Sequence, residues 1–289
     1  MISQYFKLVK FSHSIFALPF AMIGFFLAVK TRHLGFSPDS LFLLLYVVLC
    51  MIFARNSAMG FNRWLDRNID KKNPRTTERE IPSGKIHQNS ALIFVIINSL
   101  AFVSVTFFIN RLVFILSPIA LVVILGYSYT KRFTWLCHLI LGLGLSLAPI
   151  GAYLSVTGKF AVLPVIFSFA VLFWTAGFDI IYALQDEEFD KNENLKSIPV
   201  KIGKRAALLL SGILHTITAT LIVLAGFWAT EIFEIFYWLG VALFIISLIY
   251  QHLIVKPDDL SRVNLAFATT NGFAGLSFAI FTIVSIFVK

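Results

Sequence analysis

Nine stretches of this chain, near 12–29, 41–62, 90–109, 112–129, 133–155, 161–185, 206–229, 232–254 and 264–288, are apolar over close to the length a helix needs to cross a bilayer. That length is about 20 residues for a hydrocarbon core of about 30 Å. In lipid no water satisfies the backbone, so segments of this length are expected as helices whose hydrogen bonds close internally. Only 13% of the 289 residues are charged and mean hydropathy is +0.85. A soluble domain carries roughly 25% charged residues, so a water-soluble reading is excluded. The expected class is all-α, a polytopic membrane protein with nine transmembrane helices. The first stretch is too long for a cleaved leader, and Lys30-Thr31-Arg32-His33 lacks a small-residue cleavage site. Cys50 and Cys137 lie far apart in apolar runs and form neither a disulfide framework nor a zinc knuckle.

Positive charge sorts the connecting segments. Lys7 and Lys10, the loop after the second span, Lys131 and Arg132, the loop after the sixth span, and Lys256 and Arg262 put 18 basic residues on one side, against 5 on the other. The positive-inside rule then places the N-terminus in the cytoplasm. The net charge of +9 reads as a topology signal with some capacity for anions, not as a nucleic-acid footprint.

The acidic residues are unevenly placed. Ten of the 15 fall in two short windows, 66–80 and 179–193, at the cytoplasmic ends of the second and sixth spans. In the first window Asn62, Asp66 and Asp70 share one helical face at i, i+4 and i+8; in the second, Asp179, Tyr182, Asp186 and Asp190 do the same at i, i+3, i+7 and i+11. Facing ladders of carboxylates suit hard cations with oxygen ligands, and magnesium shares its shell with substrate phosphates. A diphosphate would be repelled by bare aspartates, so charge alone calls for the metal. Arg63, Arg67, Lys71, Lys72, Arg75, Lys131 and Arg132 stand ready to neutralise the remainder. The plainer alternative is a pair of solvated helix ends, with Asp66 and Asp70 paired to Arg63 and Lys71. Asp179 argues against it, because it sits inside an apolar run where a charge costs roughly 2.5–3.5 kcal/mol.

These windows resemble the UbiA family of intramembrane prenyltransferases, with its Asn-x3-Asp-x3-Asp motif and a second Asp-rich motif. Here the first reads NRWLDRNID and runs into KKNPRTTEREIPSGKI; the second reads DIIYALQDEEFD, followed by SIPVKIGKRAA. YSYTKRFT at 127–134 is similar to the Tyr-x-x-x-Lys-Arg stretch of the 4-hydroxybenzoate branch. The resemblance covers essentially the whole chain, 1–289, as a single membrane domain. It implies a central cavity ringed by the nine helices, capped by cytoplasmic loops and open to lipid, in a bacterial inner membrane. It implies transfer of a prenyl group from a polyprenyl diphosphate to a small aromatic acid in quinone biosynthesis. Mg2+ would be held by Asn62, Asp66, Asp70, Asp186 and Asp190. Arg63, Arg75, Lys131, Arg132 and His13 would contact diphosphate or acceptor, and Asp179 and Tyr182 would face the reacting centre. No obligatory protein partner is expected.

One stretch departs from the pattern. Typical 4-hydroxybenzoate enzymes carry an Arg and then an Asp-Lys-Pro run in the first span, where this chain reads KFSHSIFALPF at 10–20. That form is similar to a divergent bacterial branch, some of whose members prenylate a naphthoate on the futalosine route to menaquinone. The acceptor therefore stays open between benzoate and naphthoate. From another class, a cation-coupled transporter using the aspartates as its ion site also stays open. The six histidines show no metal-binding spacing, and His138 is expected to serve packing. The 71–88 and 187–205 loops are the polar segments long enough to act as lids.

Overall fold

The computed structural model describes residues 2–9, 16–35 and 37–288. After a short helix α1 (Ile2–Leu8), the chain forms α2 (Leu18–Thr31), α3 (Pro38–Leu65), α4 (Arg67–Lys72), α5 (Gln88–Phe107), α6 (Arg111–Thr130), α7 (Cys137–Thr157), α8 (Val162–Ala183), α9 (Glu187–Asn192), α10 (Ile198–Trp228), α11 (Ile235–Ile254) and α12 (Asn271–Phe287). A 3-10 turn (Leu184–Asp186) joins α8 to α9, and a π-helix (Leu265–Thr270) leads into α12. Among the described residues eight helices are long and apolar enough to cross a membrane, and α2 is a shorter apolar ninth. The protein is an integral membrane α-bundle, as its hydropathy requires.

Local chemistry explains the boundaries. Ser37 and Ser40 exchange side-chain-to-backbone bonds in a capping box at the start of α3, with Pro38 at the first helical position. Asn110 caps α6 through Val113 N–H and donates to the Leu154 and Ser155 carbonyls, which ties α6 to the far end of α7. α7 stops at Gly158, which adopts φ 64°, a left-handed value that suits glycine. α10 begins earlier than the hydropathy suggests, because Ser197 caps it and Pro199 fits its first turn; Gly203 (φ 77°) then breaks the helix before the apolar run.

The bundle is held by a buried aromatic core in which Phe20, Phe167, Trp174, Tyr237, Phe244 and Phe278 are essentially inaccessible. Rings stack or meet edge-on throughout, as at Trp174–Phe244 (5.5 Å) and Phe233–Tyr237 (4.1 Å). Lipid tails are as apolar as leucine, so close backbone approach takes over part of the role of hydrophobic burial. Gly142 of α7 lies against the Leu172 carbonyl of α8, and Gly24 of α2 against the Pro149 carbonyl of α7; a Cβ at either would collide with backbone. Leu, Ile and Phe side chains such as Ile97, Leu100, Ile119, Leu209 and Leu253 are exposed on the outside. On a soluble protein such a surface would aggregate; here it is the face offered to lipid.

Candidate active site

The two acidic windows meet at one end of the bundle. α3 ends at Leu65, and Asp66 carries the chain into α4 with its amide still bonded to Asn62 O (3.0 Å) and its carbonyl accepting from Asp70 N–H (2.8 Å). The expected ladder of Asn62, Asp66 and Asp70 therefore survives a helix break. Asn62 Nδ2 donates to Asp66 Oδ2 (3.3 Å). In the second window, Asp179 and Tyr182 lie on α8, Asp186 ends the 3-10 turn and Asp190 lies on α9. The second ladder thus bends at Leu184.

Asp66, Asp70 and Asp186 are each gripped by a cation that is not an immediate neighbour in sequence. Asp66, 2% exposed, takes Lys131 Nζ (2.6 Å) on one oxygen and Arg132 Nη2 (2.9 Å) on the other. Arg132 also donates to the Leu65 and Ser128 carbonyls, which fastens the end of α6 over the end of α3. Asp70, 4% exposed, accepts from Arg79 (2.7 Å), while its Oδ2 is buried without a partner. Asp186 receives Arg75 on both oxygens and Asn73 Nδ2 (3.2 Å) on one. Arg75 then reaches Tyr182: its Nη1 donates to the phenol oxygen (2.7 Å), and its guanidinium carbon sits 5.0 Å from the ring centroid. Burial works against charge on Arg75, but Tyr182 and Asp186 outweigh it and hold the guanidinium above its usual pKa. Lys72 and Glu193 (2.6 Å) join the two polar loops across the top.

The plainer expectation of local pairs is therefore corrected. Asp66 and Asp70 find Lys131, Arg132 and Arg79, not Arg63 and Lys71, because the fold brings distant cations nearer than the neighbours in sequence. Asp190 makes no salt bridge; the titratable groups that act on it are Asp186, Lys131 and His138. His13 lies outside the described residues.

Among the described residues no three Asp, Glu, His or Cys side chains converge closely enough to hold one ion. The donor set is nevertheless all oxygen, which is what a hard divalent cation takes. The unpartnered buried Oδ2 of Asp70 is an acceptor that such a cation would satisfy.

A model of the UbiA prenyltransferase family matches residues 17–282. The chain belongs to the UbiA prenyltransferase family. It is 31% identical over 225 residues to the 4-hydroxybenzoate octaprenyltransferase of Vesicomyosocius okutanii, covering 77% of this chain and 80% of the relative. To the enzyme of the same name from Photobacterium profundum it is 29% identical over 232 residues, covering 79% and 78%. Among solved structures, a UbiA homologue from Aeropyrum pernix K1 superposes with TM-score 0.78 at 28% identity, over 96% of this chain and 97% of that one. A UbiA homologue from Archaeoglobus fulgidus bound to GPP and Mg2+ shares the fold, with TM-score 0.73 at 23% identity over 99% and 100%. The protein is thus a membrane-embedded prenyltransferase with the UbiA fold.

Two parts of this UbiA-family site were not legible as such. His138, expected to serve packing, hydrogen-bonds Asp179. Ile198 N–H donates to His138 Nε2 (3.3 Å), so Nδ1 carries the proton and donates to Asp179 Oδ2 (2.7 Å). The signal was present in Asp179 itself, since a carboxylate inside the membrane requires a partner. The second part is the π-helix at Leu265–Thr270, a form that recurs at functional sites. Asn271 donates to the Ala266 and Phe267 carbonyls at that turn and accepts from Trp174 and Gln251 (3.0 Å each). This fixes Phe267 against Tyr182, with ring centroids 4.2 Å apart. Trp174 and Phe178 are committed to the aromatic core. His215 and His252 form a hydrogen-bonded pair (2.9 Å) anchored on the Trp174 carbonyl.

Proposed function

We propose that the protein transfers a polyprenyl group from polyprenyl diphosphate to a small aromatic acid, 4-hydroxybenzoate in the first instance, in ubiquinone-type quinone synthesis. The carrying observation is that carboxylates and cations from residues 62–79, 131–132 and 179–190 assemble at one end of a membrane bundle. The named relatives are 4-hydroxybenzoate octaprenyltransferases, which supports the acceptor. A hydroxynaphthoate remains the second acceptor to test, because residues 10–20 depart from the benzoate pattern. The whole chain acts as one unit in a bacterial inner membrane, with the site on the cytoplasmic side, as the basic residues indicate.

In this reading Asn62, Asp66, Asp70, Asp186 and Asp190 hold Mg2+, which supplies Lewis-acid stabilisation of the departing diphosphate. Arg75, Lys131 and Arg132 exchange their carboxylate partners for phosphate oxygens and balance the charge that the C–O electron pair carries onto the leaving group. The allylic carbon left electron-poor lies against the negative face of Tyr182, which Phe267 backs from behind. The acceptor ring attacks through carbon and forms the new C–C bond. Asp179, oriented by His138, removes the ring proton and restores aromaticity.

The test is prenyl transfer by purified, detergent-solubilised protein given geranyl diphosphate and Mg2+, with 4-hydroxybenzoate or a hydroxynaphthoate in parallel. Product from 4-hydroxybenzoate supports the reading as stated, and product from the naphthoate alone moves the protein to menaquinone synthesis. Silence with both acceptors sinks the reading and returns attention to cation-coupled transport.

A further inference from the structure

Beside the aspartates, the site end of the bundle holds a cavity of about 220 Å³ lined by Lys7, Arg63, Arg75, Glu78, Arg79, Glu80 and Tyr182. Arg63 is the anomaly in it. The residue is 3% exposed, and its Nε and Nη1 are buried without a hydrogen-bond partner. Three of the other charges around it are committed elsewhere: Arg75 to Asp186, Arg79 to Asp70 and Glu78 to Lys85. Asp70 and Glu80 are near enough to act on it electrostatically, but neither forms a salt bridge with it. A buried guanidinium left unpaired is strongly destabilising, so its retention calls for an anion that enters the cavity.

We propose that Arg63 anchors the carboxylate of the aromatic acceptor. This rests on the prenyl-transfer reading and names how the second substrate is selected. Three features favour the acceptor over the diphosphate. Asp66, Asp70 and Asp186 do not line the cavity, so a metal that they hold lies outside it. The volume falls below the roughly 300–1,000 Å³ of pockets for drug-sized ligands, which suits a one- or two-ring acid and not a polyprenyl chain. Tyr182 forms part of the cavity wall, so an acid held by Arg63 lies beside the residue that this reading sets against the allylic carbon. An uncharged acceptor would leave the guanidinium unsatisfied, so the same residue rejects amides and phenols that lack the acid.

The experiment compares wild type with Arg63→Met and Arg63→Lys in two arms. In turnover, with geranyl diphosphate and Mg2+, the acceptors are 4-hydroxybenzoate and a hydroxynaphthoate, each beside its amide. R63M is expected to raise KM for the acid by about a hundredfold, to lose the preference for acid over amide, and to leave KM for geranyl diphosphate within about twofold of wild type. R63K, which keeps the charge, recovers part of the acid preference. In binding, thermal unfolding is followed with benzoate and, separately, inorganic diphosphate. Benzoate protects wild type and not R63M, and R63M unfolds above wild type when no anion is added, because a buried unpaired cation has been removed. A KM increase confined to geranyl diphosphate, or an unchanged acid preference in R63M, overturns the assignment. If wild type turns over neither acceptor, the transfer reading fails on its own, and the binding arm decides the inference: equal protection of wild type and R63M by benzoate, or protection of neither, refutes it.

Discussion

Asp66→Asn and Asp70→Asn separate what the site does for folding from what it does for chemistry. Both carboxylates are buried on the same ladder, yet their bonding differs. Asp66 accepts from Lys131, Arg132 and Asn62. Asp70 accepts from Arg79 alone and keeps one buried oxygen unpartnered. A hydrogen bond to a charged group contributes about 1.5–3 kcal/mol. The Lys131 and Arg132 side chains are 29% and 30% exposed, so water replaces part of what the introduced amide fails to offer and the sum is discounted. D66N should then cost about 2 kcal/mol of stability. In D70N the new amide oxygen still accepts from Arg79, while the amide nitrogen replaces the unpartnered oxygen as a buried donor, so the cost is about 1 kcal/mol. On the proposed role of both residues, turnover falls by at least about 10³-fold in each. The assay pairs detergent-phase thermal unfolding with mass-spectrometric detection of prenylated product across a Mg2+ titration. Turnover by either variant within about threefold of wild type, or activity losses that merely follow the stability losses, would refute the reasoning.

Asp179→Asn is expected to lower kcat by about 10²-fold as a lost general base. His138→Ala should lower it by about tenfold with KM for both substrates kept, because the base remains but loses its orientation; an unchanged kcat in H138A would remove His138 from the mechanism. EDTA should abolish transfer and Mg2+ restore it, measured on one preparation so that irreversible unfolding is excluded. Gly142→Val, which drives a side chain into the Leu172 carbonyl, should destabilise the α7–α8 contact by about 1–3 kcal/mol. Its thermal midpoint is the readout, and a midpoint equal to wild type would show that the helices move apart freely.

The membrane architecture was legible because its cause is local: a helix in lipid must be apolar along its length, and that pattern can be read one segment at a time. The acidic ladders were legible for a related reason, since a helical face is set by spacing within one segment. What could not be read was partnership across segments. Nothing near Asp66 in sequence distinguishes Arg63, one turn away, from Lys131 and Arg132 at the end of another helix, yet the fold chooses the latter. His138 was misread for the same reason, because its partner lies 41 residues on. The π-helix before α12 escaped notice because its sequence, LAFATT, reads as ordinary helix. Asn271, Trp174 and Gln251 stabilise it from three different helices, so no single segment carries the signal.

The same cross-segment pairing bears on how substrates enter the proposed site. Lys131 and Arg132 grip Asp66, Arg79 grips Asp70 and Arg75 grips Asp186. If one of them turns to a phosphate oxygen, a buried aspartate is left with an uncompensated charge, which low-dielectric surroundings make costly. The exchange becomes favourable only when a cation arrives for the aspartate as the anion arrives for the arginine or lysine. Metal and diphosphate are then expected to strengthen each other's binding by the same factor, as linkage demands. Arg63 stands outside this exchange, because it has no carboxylate to release. It can take an anion without waiting for a metal, and that independence is what a second, metal-free substrate requires.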